Sequence, residues 1–146
     1  EQMAGVTGQK GDALFRYMWP TDTHYEGNND SLVLMMTYGA FKALFTGDLE
    51  EAGEQALIRQ EGANIANIDV LKAGHHGSKT SSSDGFIEHV KPRLTIFMAG
   101  KDNRYGHPHA EVVERLKIRK LAFLTTGEDG TIEVRVDKQR MSVSKQ

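Results

Sequence analysis

The chain has no cysteine among its 146 residues. Disulfides and thiolate metal sites are therefore excluded, although the redox compartment stays open. No apolar run approaches the ~18–20 residues that a membrane-spanning helix needs. No basic segment followed by an apolar one opens the chain in the manner of a secretory signal. The formal charge of −2 offers no bulk basic surface, so any nucleic-acid contact has to be local. Phosphate-binding P-loops, Gly-x-Gly-x-x-Gly and Gly-x-Ser-x-Gly are all missing. There is no internal repeat, and no low-complexity tract beyond Ser81-Ser82-Ser83. What remains is a globular chain of single-domain size with material for a core. Its opening, EQMAGVTGQKGDALFRYMW, reads as a loop entering a strand, as expected of a piece cut from something longer.

Apolar patterning predicts strands over 12–19, 31–38, 41–46, 68–73, 94–99, 121–126 and 131–136. The segment from Leu49 to about Glu61 predicts a helix, with Gly62 as its C-cap. Ser83 is the expected N-cap of a second helix ending at Val90 before Pro92. Pro108 opens a third helix carrying Val112, Val113 and Leu116. The turn Glu128-Asp129-Gly130 is expected to fold the strand after it back as a half-exposed edge strand, and the polar residues 139–146 are expected to fray. Strands alternating with helices predict an α/β domain: a mixed sheet, parallel at its centre, with about three helices.

That order carries the functional reading. If strands 41–46, 68–73 and 94–99 are parallel, their C-terminal ends share one sheet edge, where open α/β sheets bind ligands. Asp48, the pair His75-His76, and the loop from Asn103 to His109 each follow one of those ends. A carboxylate and an imidazole on one edge form a partial site for a divalent metal, which lowers the pKa of bound water and polarises a phosphoryl or carbonyl oxygen. Gly77 permits close backbone approach, and Ser78, Lys79, Thr80 and Ser81 precede a helix start, a favourable place for a phosphate. One histidine would bind metal while its neighbour binds substrate or supports the first.

Blander roles stand beside these. Asp48 equally suits a helix cap. His24 and His89 suit structural or solvated positions, and Met35-Met36 suits the core. Lys101 and Arg104 suit solvent or, with Lys79, a local phosphate-facing patch. His107-x-His109 resembles the start of a His-x-His-x-Asp-His metal motif, but Glu111 and Val112 occupy the positions of Asp and His. His107 is expected to point into the site and His109 to face solvent.

Taken in order, NNDSLVLMMTYGAFKALFTGDLE, LKAGHHGSKTSSS and GKDNRYGHPHAEVVERL resemble the ComEC-type branch of the metallo-β-lactamase fold, over roughly Ala13 to Val136. The resemblance implies an αββα sandwich with a metal site, usually of two zinc or manganese ions. Asp48 matches the family's bridging aspartate. His76 matches its last histidine ligand, with His75 as the alternative. Asn103, Tyr105 and His107 resemble its substrate-side loop. On this likeness the parent domain is a metal-dependent hydrolase, a nuclease or phosphodiesterase acting on DNA in competence-related uptake. His75 and His107 would serve the chemistry, with Ser78, Lys79 and Thr80 contacting phosphate. The family's first-half ligand motif occurs nowhere in residues 1–146. The chain thus resembles the C-terminal portion of the fold, expected to pack on a missing N-terminal half. A parent of this kind would be membrane-anchored, with this domain on the extracytoplasmic side. The competing readings are an anion- or nucleic-acid-binding module without catalysis, and an inactive fragment lacking the other metal ligands.

Overall fold

A computed structural model describes residues 5–21, 25–137 and 140–146. Its centre is a seven-stranded sheet whose spatial order repeats the chain order. The strands are β1 (Thr7–Lys10), β2 (Ala13–Trp19), β3 (Val33–Tyr38), β4 (Phe41–Phe45), β5 (Val70–Lys72), β6 (Leu94–Phe97) and β7 (Ala122–Thr125). β1 to β4 are antiparallel neighbours, and β4 to β7 are parallel ones. Helices α1 (Glu51–Glu61), α2 (Asp84–Val90) and α3 (Ala110–Ile118) make the three parallel crossovers. A single turn, α4 (Thr126–Asp129), follows β7, and β8 (Ile132–Asp137) pairs with β9 (Arg140–Lys145) in a separate ribbon.

All three crossover helices lie on one face of the sheet. Leu57 of α1, Phe86 and Ile87 of α2, and Val112 and Leu116 of α3 share a buried cluster with Leu44, Leu71 and Phe97 of the strands. Each such side chain, fully removed from water, contributes roughly 1.5–3 kcal/mol. The opposite face of the sheet carries Phe41, Ala43 and Val70, which pack with Met36, Ile96, Val134, Val136 and Met141. Where the ribbon lies, around Met36, Ala43, Val70 and Ile96, the strands are covered on both sides, which is why Leu94–Ala99 reads as a near-continuous apolar run rather than an alternating one. The result is a mixed α/β architecture with helices flanking a sheet.

Two expectations fail at the C-terminal end. β8 does not fold back beside β7; it crosses to the other face of the sheet and pairs with β9, formed by residues expected to fray. The Asp129 carboxylate explains the departure. It accepts from the Thr125 backbone N–H at 2.9 Å and pairs with Lys145 at 2.8 Å, so the turn closes on itself and the chain leaves the sheet. β8 then lays Val134 and Val136 on the apolar patch. The opening segment also differs from a plain loop, because Thr7–Lys10 adds an exposed edge strand beside β2.

Candidate functional site at the strand edge

Because β4, β5 and β6 are parallel, the segments that leave their C-terminal ends gather at one edge, as the alternation of elements predicts. Gly47, with φ of +56°, turns the chain out of β4; a Cβ there would approach Ser31 Cβ to 2.9 Å. Asp48 follows, its backbone N–H donating to Ser31 Oγ at 3.1 Å. α1 starts only at Glu51, so Asp48 is not its cap. The Asn29 side chain performs that task from outside the helix, accepting from the N–H groups of Glu50 at 3.2 Å and Gly53 at 3.0 Å. Asn29 is held in turn by Trp19, whose indole N–H donates to the Asn29 carbonyl at 2.8 Å.

β5 ends in a tight turn over Gly74–Gly77. His75 (φ 45°, ψ 45°) and His76 (φ 56°, ψ 18°) both occupy the left-handed region. Non-glycine residues enter it seldom, and two in succession hold the turn in an uncommon conformation. The turn is bound to the β4 exit, since the His75 N–H donates to the Gly47 carbonyl at 3.1 Å. Gly77, at φ +89°, lies where a Cβ would meet Pro108 Cβ at 2.6 Å and the Phe97 ring at 2.7 Å; only glycine lets the turn pass so close to β6 and its loop.

The His76 Nδ1 is 2.8 Å from the Met98 carbonyl, so Nδ1 carries a hydrogen, and in the neutral ring Nε2 carries the lone pair. Nε2 lies 3.7 Å from Asp48 Oδ1. Such a backbone hydrogen bond is the usual support for a metal-binding imidazole. His75 faces away, its Nδ1 being 3.4 Å from the Asn28 amide and 3.7 Å from Glu50 Oε1. His107 completes a cluster of three rings, its centroid 5.6 Å from His75 and 6.5 Å from His76. Partial burial holds the His107 pKa below the ordinary imidazole value. The neighbouring rings of His109, His75 and His76 add to this, and Asp48 opposes it.

Lys72, at the end of β5, was not singled out by motif. Its Nζ donates to the Gly47 carbonyl at 2.7 Å and lies 3.8 Å from Asp48 Oδ1. Burial lowers its pKa, and the attraction of Asp48 partly restores it. Asn28, Glu50 and Lys72 were all invisible to motif reasoning. Each sits in an ordinary-looking turn or strand end and acquires a role only through strand pairing.

The other expected residues divide. Ser78 is buried, and its hydroxyl contacts Thr80 Oγ1 at 3.1 Å; Thr80 Oγ1 donates to Glu50 at 2.9 Å. Lys79 is exposed, and its backbone N–H donates to His109 Nδ1 at 2.9 Å. His109 therefore does not simply face solvent; it ties the His75–Thr80 segment to the start of α3. The Asn103 side chain is spent within its own loop: its Oδ1 accepts from the His107 N–H at 2.9 Å and its amide donates to the carbonyls of Gly100 and His107. Tyr105 is 61% exposed, stacks on His107 at 5.7 Å and lies beneath the Arg104 guanidinium. His89 is structural, its Nε2 bonding the Gly62 carbonyl at 2.8 Å, and His24 lies outside the described residues.

As a metal site, the edge supplies one carboxylate and one supported imidazole. Among the described residues, no group of three or more His, Cys, Asp or Glu side chains is arranged to hold a metal ion. A zinc-type sphere needs four donors, and the described residues bring two of them together here.

No family model matches the chain. It is 46% identical over 110 residues to ComE operon protein 3 of Bacillus subtilis, covering 74% of this chain and 14% of that protein. It is 36% identical over 116 residues to Recombination protein 2 of Haemophilus influenzae, covering 80% and 14%. Competence protein ComA of Neisseria gonorrhoeae is 34% identical over 120 residues, covering 82% and 17%. The chain is thus homologous to bacterial competence-associated proteins and spans 14–17% of the length of these three. Among solved structures, CmlA, a diiron beta-hydroxylase from Streptomyces venezuelae, superposes with a TM-score of 0.56 at 10% identity over 98% of this chain and 34% of that one. A mutant of CmlA gives 0.54 at 8% identity, over 84% and 31%. These likenesses concern the α/β fold.

Proposed function

We propose that this chain is the C-terminal half of a ComEC-type metallo-β-lactamase-like domain in a competence-associated protein, and that its strand edge binds the phosphodiester backbone of DNA during uptake. The observation that carries the reading is the convergence of His75, His76 and His107 at the ends of parallel strands, with exposed Lys79 following in the same segment and tied through its backbone to His109. Ring N–H groups and an exposed ammonium suit phosphate oxygens. Asp48 and Glu50 lie against the same histidines, Asp48 Oδ1 3.7 Å from His76 Nε2 and Glu50 Oε1 3.7 Å from His75 Nδ1; Asp48 has Lys72 as its counter-charge, and Glu50 is engaged by Asn28 and Thr80. Among the described residues the edge brings together one carboxylate and one supported imidazole, and the reading is accordingly of a binding module rather than of a closed metal site. The proposed partners are DNA and the N-terminal half of the fold, with a membrane reached only through the parent protein on its extracytoplasmic side. No helix among the described residues is long and apolar enough to cross a bilayer.

The test is fluorescence anisotropy with labelled single- and double-stranded DNA over a salt series. Binding whose affinity falls as salt rises, and which weakens about tenfold in a His75→Ala, His107→Ala double variant, supports the reading. Binding unaffected by both salt and the substitutions sinks it.

A second reading has its own support in the Asp48–His76 pair, whose free Nε2 and carboxylate face each other at 3.7 Å. In a complete domain this pair would hold part of a zinc or manganese centre for hydrolysis. With the missing half present, Asp48→Ala is then expected to abolish metal-dependent cleavage of DNA. Full activity in the metal-loaded variant would refute the assignment.

A further inference from the structure

The hydrogen-bond network behind the adjacent histidines fixes where each carries its proton. An ionised carboxylate only accepts. Glu50 Oε1 receives the Thr80 hydroxyl at 2.9 Å and the Asn28 Nδ2 at 3.2 Å. The Asn28 amide must therefore turn its NH2 toward Glu50, and the same nitrogen faces His75 Nδ1 at 3.4 Å. One amide hydrogen serves Glu50 and the other serves His75, so Nδ1 of a neutral His75 is an acceptor and its hydrogen sits on Nε2. On His76 the reverse holds, because the Met98 carbonyl at 2.8 Å requires a hydrogen on Nδ1 and leaves Nε2 bare.

We infer that the two adjacent histidines present opposite chemistry to the strand edge: His75 offers an N–H donor and His76 an unshared electron pair, with Asn28 and Glu50 acting as positioning residues for His75. The assignment deepens the phosphate-binding reading and rests on it for its use. His75 becomes the ring that donates to an anionic oxygen even when neutral, and His76 the ring suited to an electrophile. The left-handed backbone at both residues gives the arrangement its geometry, turning the two side chains to different partners within one tight turn.

The experiment is long-range proton–nitrogen NMR on the 146-residue chain labelled with nitrogen-15 histidine, at pH 8 and without DNA. His75→Gln and His76→Gln variants assign the two rings. The expected result is an Nε2–H tautomer for His75 and an Nδ1–H tautomer for His76. Asn28→Asp replaces the amide donor with an acceptor and is expected to move the His75 hydrogen to Nδ1 while leaving His76 unchanged. The same tautomer on both rings, an averaged His75 signal, or an Asn28→Asp spectrum with His75 unmoved would overturn the inference. If Asn28→Asp fails to fold, the wild-type spectrum decides alone. Because the tautomers are read without ligand, a failure of DNA binding leaves this result standing, and the reverse is equally visible.

Discussion

His75 and His76 occupy a backbone region where a Cβ is costly, so each position stores strain for the sake of its ring. At His75, glycine should leave a more stable protein than alanine by roughly 1 kcal/mol, because alanine keeps the strain and loses the ring while glycine relieves it. Urea denaturation of His75→Gly and His75→Ala checks this; equal stabilities would mean the turn is unstrained. A second residue-scale prediction concerns Glu54, fully buried in α1, whose carboxylate oxygens accept from the backbone N–H groups of Ser82 and Ser83. Burial raises its pKa above the ordinary glutamate value, against the lowering effect of those bonds. The folded state thus holds this proton more firmly than the unfolded chain. Its stabilising contribution is full below the ordinary glutamate pKa and is lost as pH rises through the raised value. Thermal melts across mildly acidic pH should show that slope, and Glu54→Gln should lack it. Glu54→Gln should also cost about 1–3 kcal/mol at neutral pH, because one backbone N–H would face an amide hydrogen. Legibility at this scale was uneven. Asp48, His75, His76 and His107 announce themselves by residue type beside a strand end. Asn28, Asn29 and Lys72 belong to common types in unremarkable places, and only the pairing of distant strands gives them partners.

At the scale of elements, local signals and tertiary demands mostly agree. Ser83 caps α2 as its position before Asp-Gly-Phe suggests, accepting from the Phe86 N–H, and Gly62 ends α1. The N-terminus of α1 is different, since its cap comes from Asn29, which no local rule ties to a helix that starts at Glu51. Asn29→Ala should therefore destabilise the fold by about 1–2 kcal/mol, the cost of a lost helix cap, although it lies outside any helix cap position in sequence. Chemical denaturation provides the measurement, with Asn29→Asp expected to recover most of the loss. The β8–β9 ribbon likewise takes its place from distant residues. Alternation identified Ile132, Val134 and Val136 as one apolar stripe but could not say which surface would receive it. The receiving patch is assembled from Phe41, Ala43 and Val70, on two other strands.

For the whole molecule, the ribbon leaves part of the sheet uncovered. Strand register places Tyr17, Leu34 and Phe45 in one row on the ribbon side, and Phe45 is 39% exposed. Met98, just beyond β6, is 53% exposed. This open strip near the histidine edge is where the N-terminal half of the proposed domain would pack. The chain alone is accordingly expected to self-associate weakly as concentration rises, and Phe45→Lys to suppress that without loss of the fold. Sedimentation velocity would read both, and a wild-type chain monomeric at millimolar concentration would count against the open strip as an interface. A final consequence lies in the strand order. Seven strands lie side by side in the sequence in which a ribosome delivers them. Each newly emerged strand finds its neighbour already in place, so the sheet can grow during synthesis without holding a gap for a late arrival, and the ribbon closes over it last.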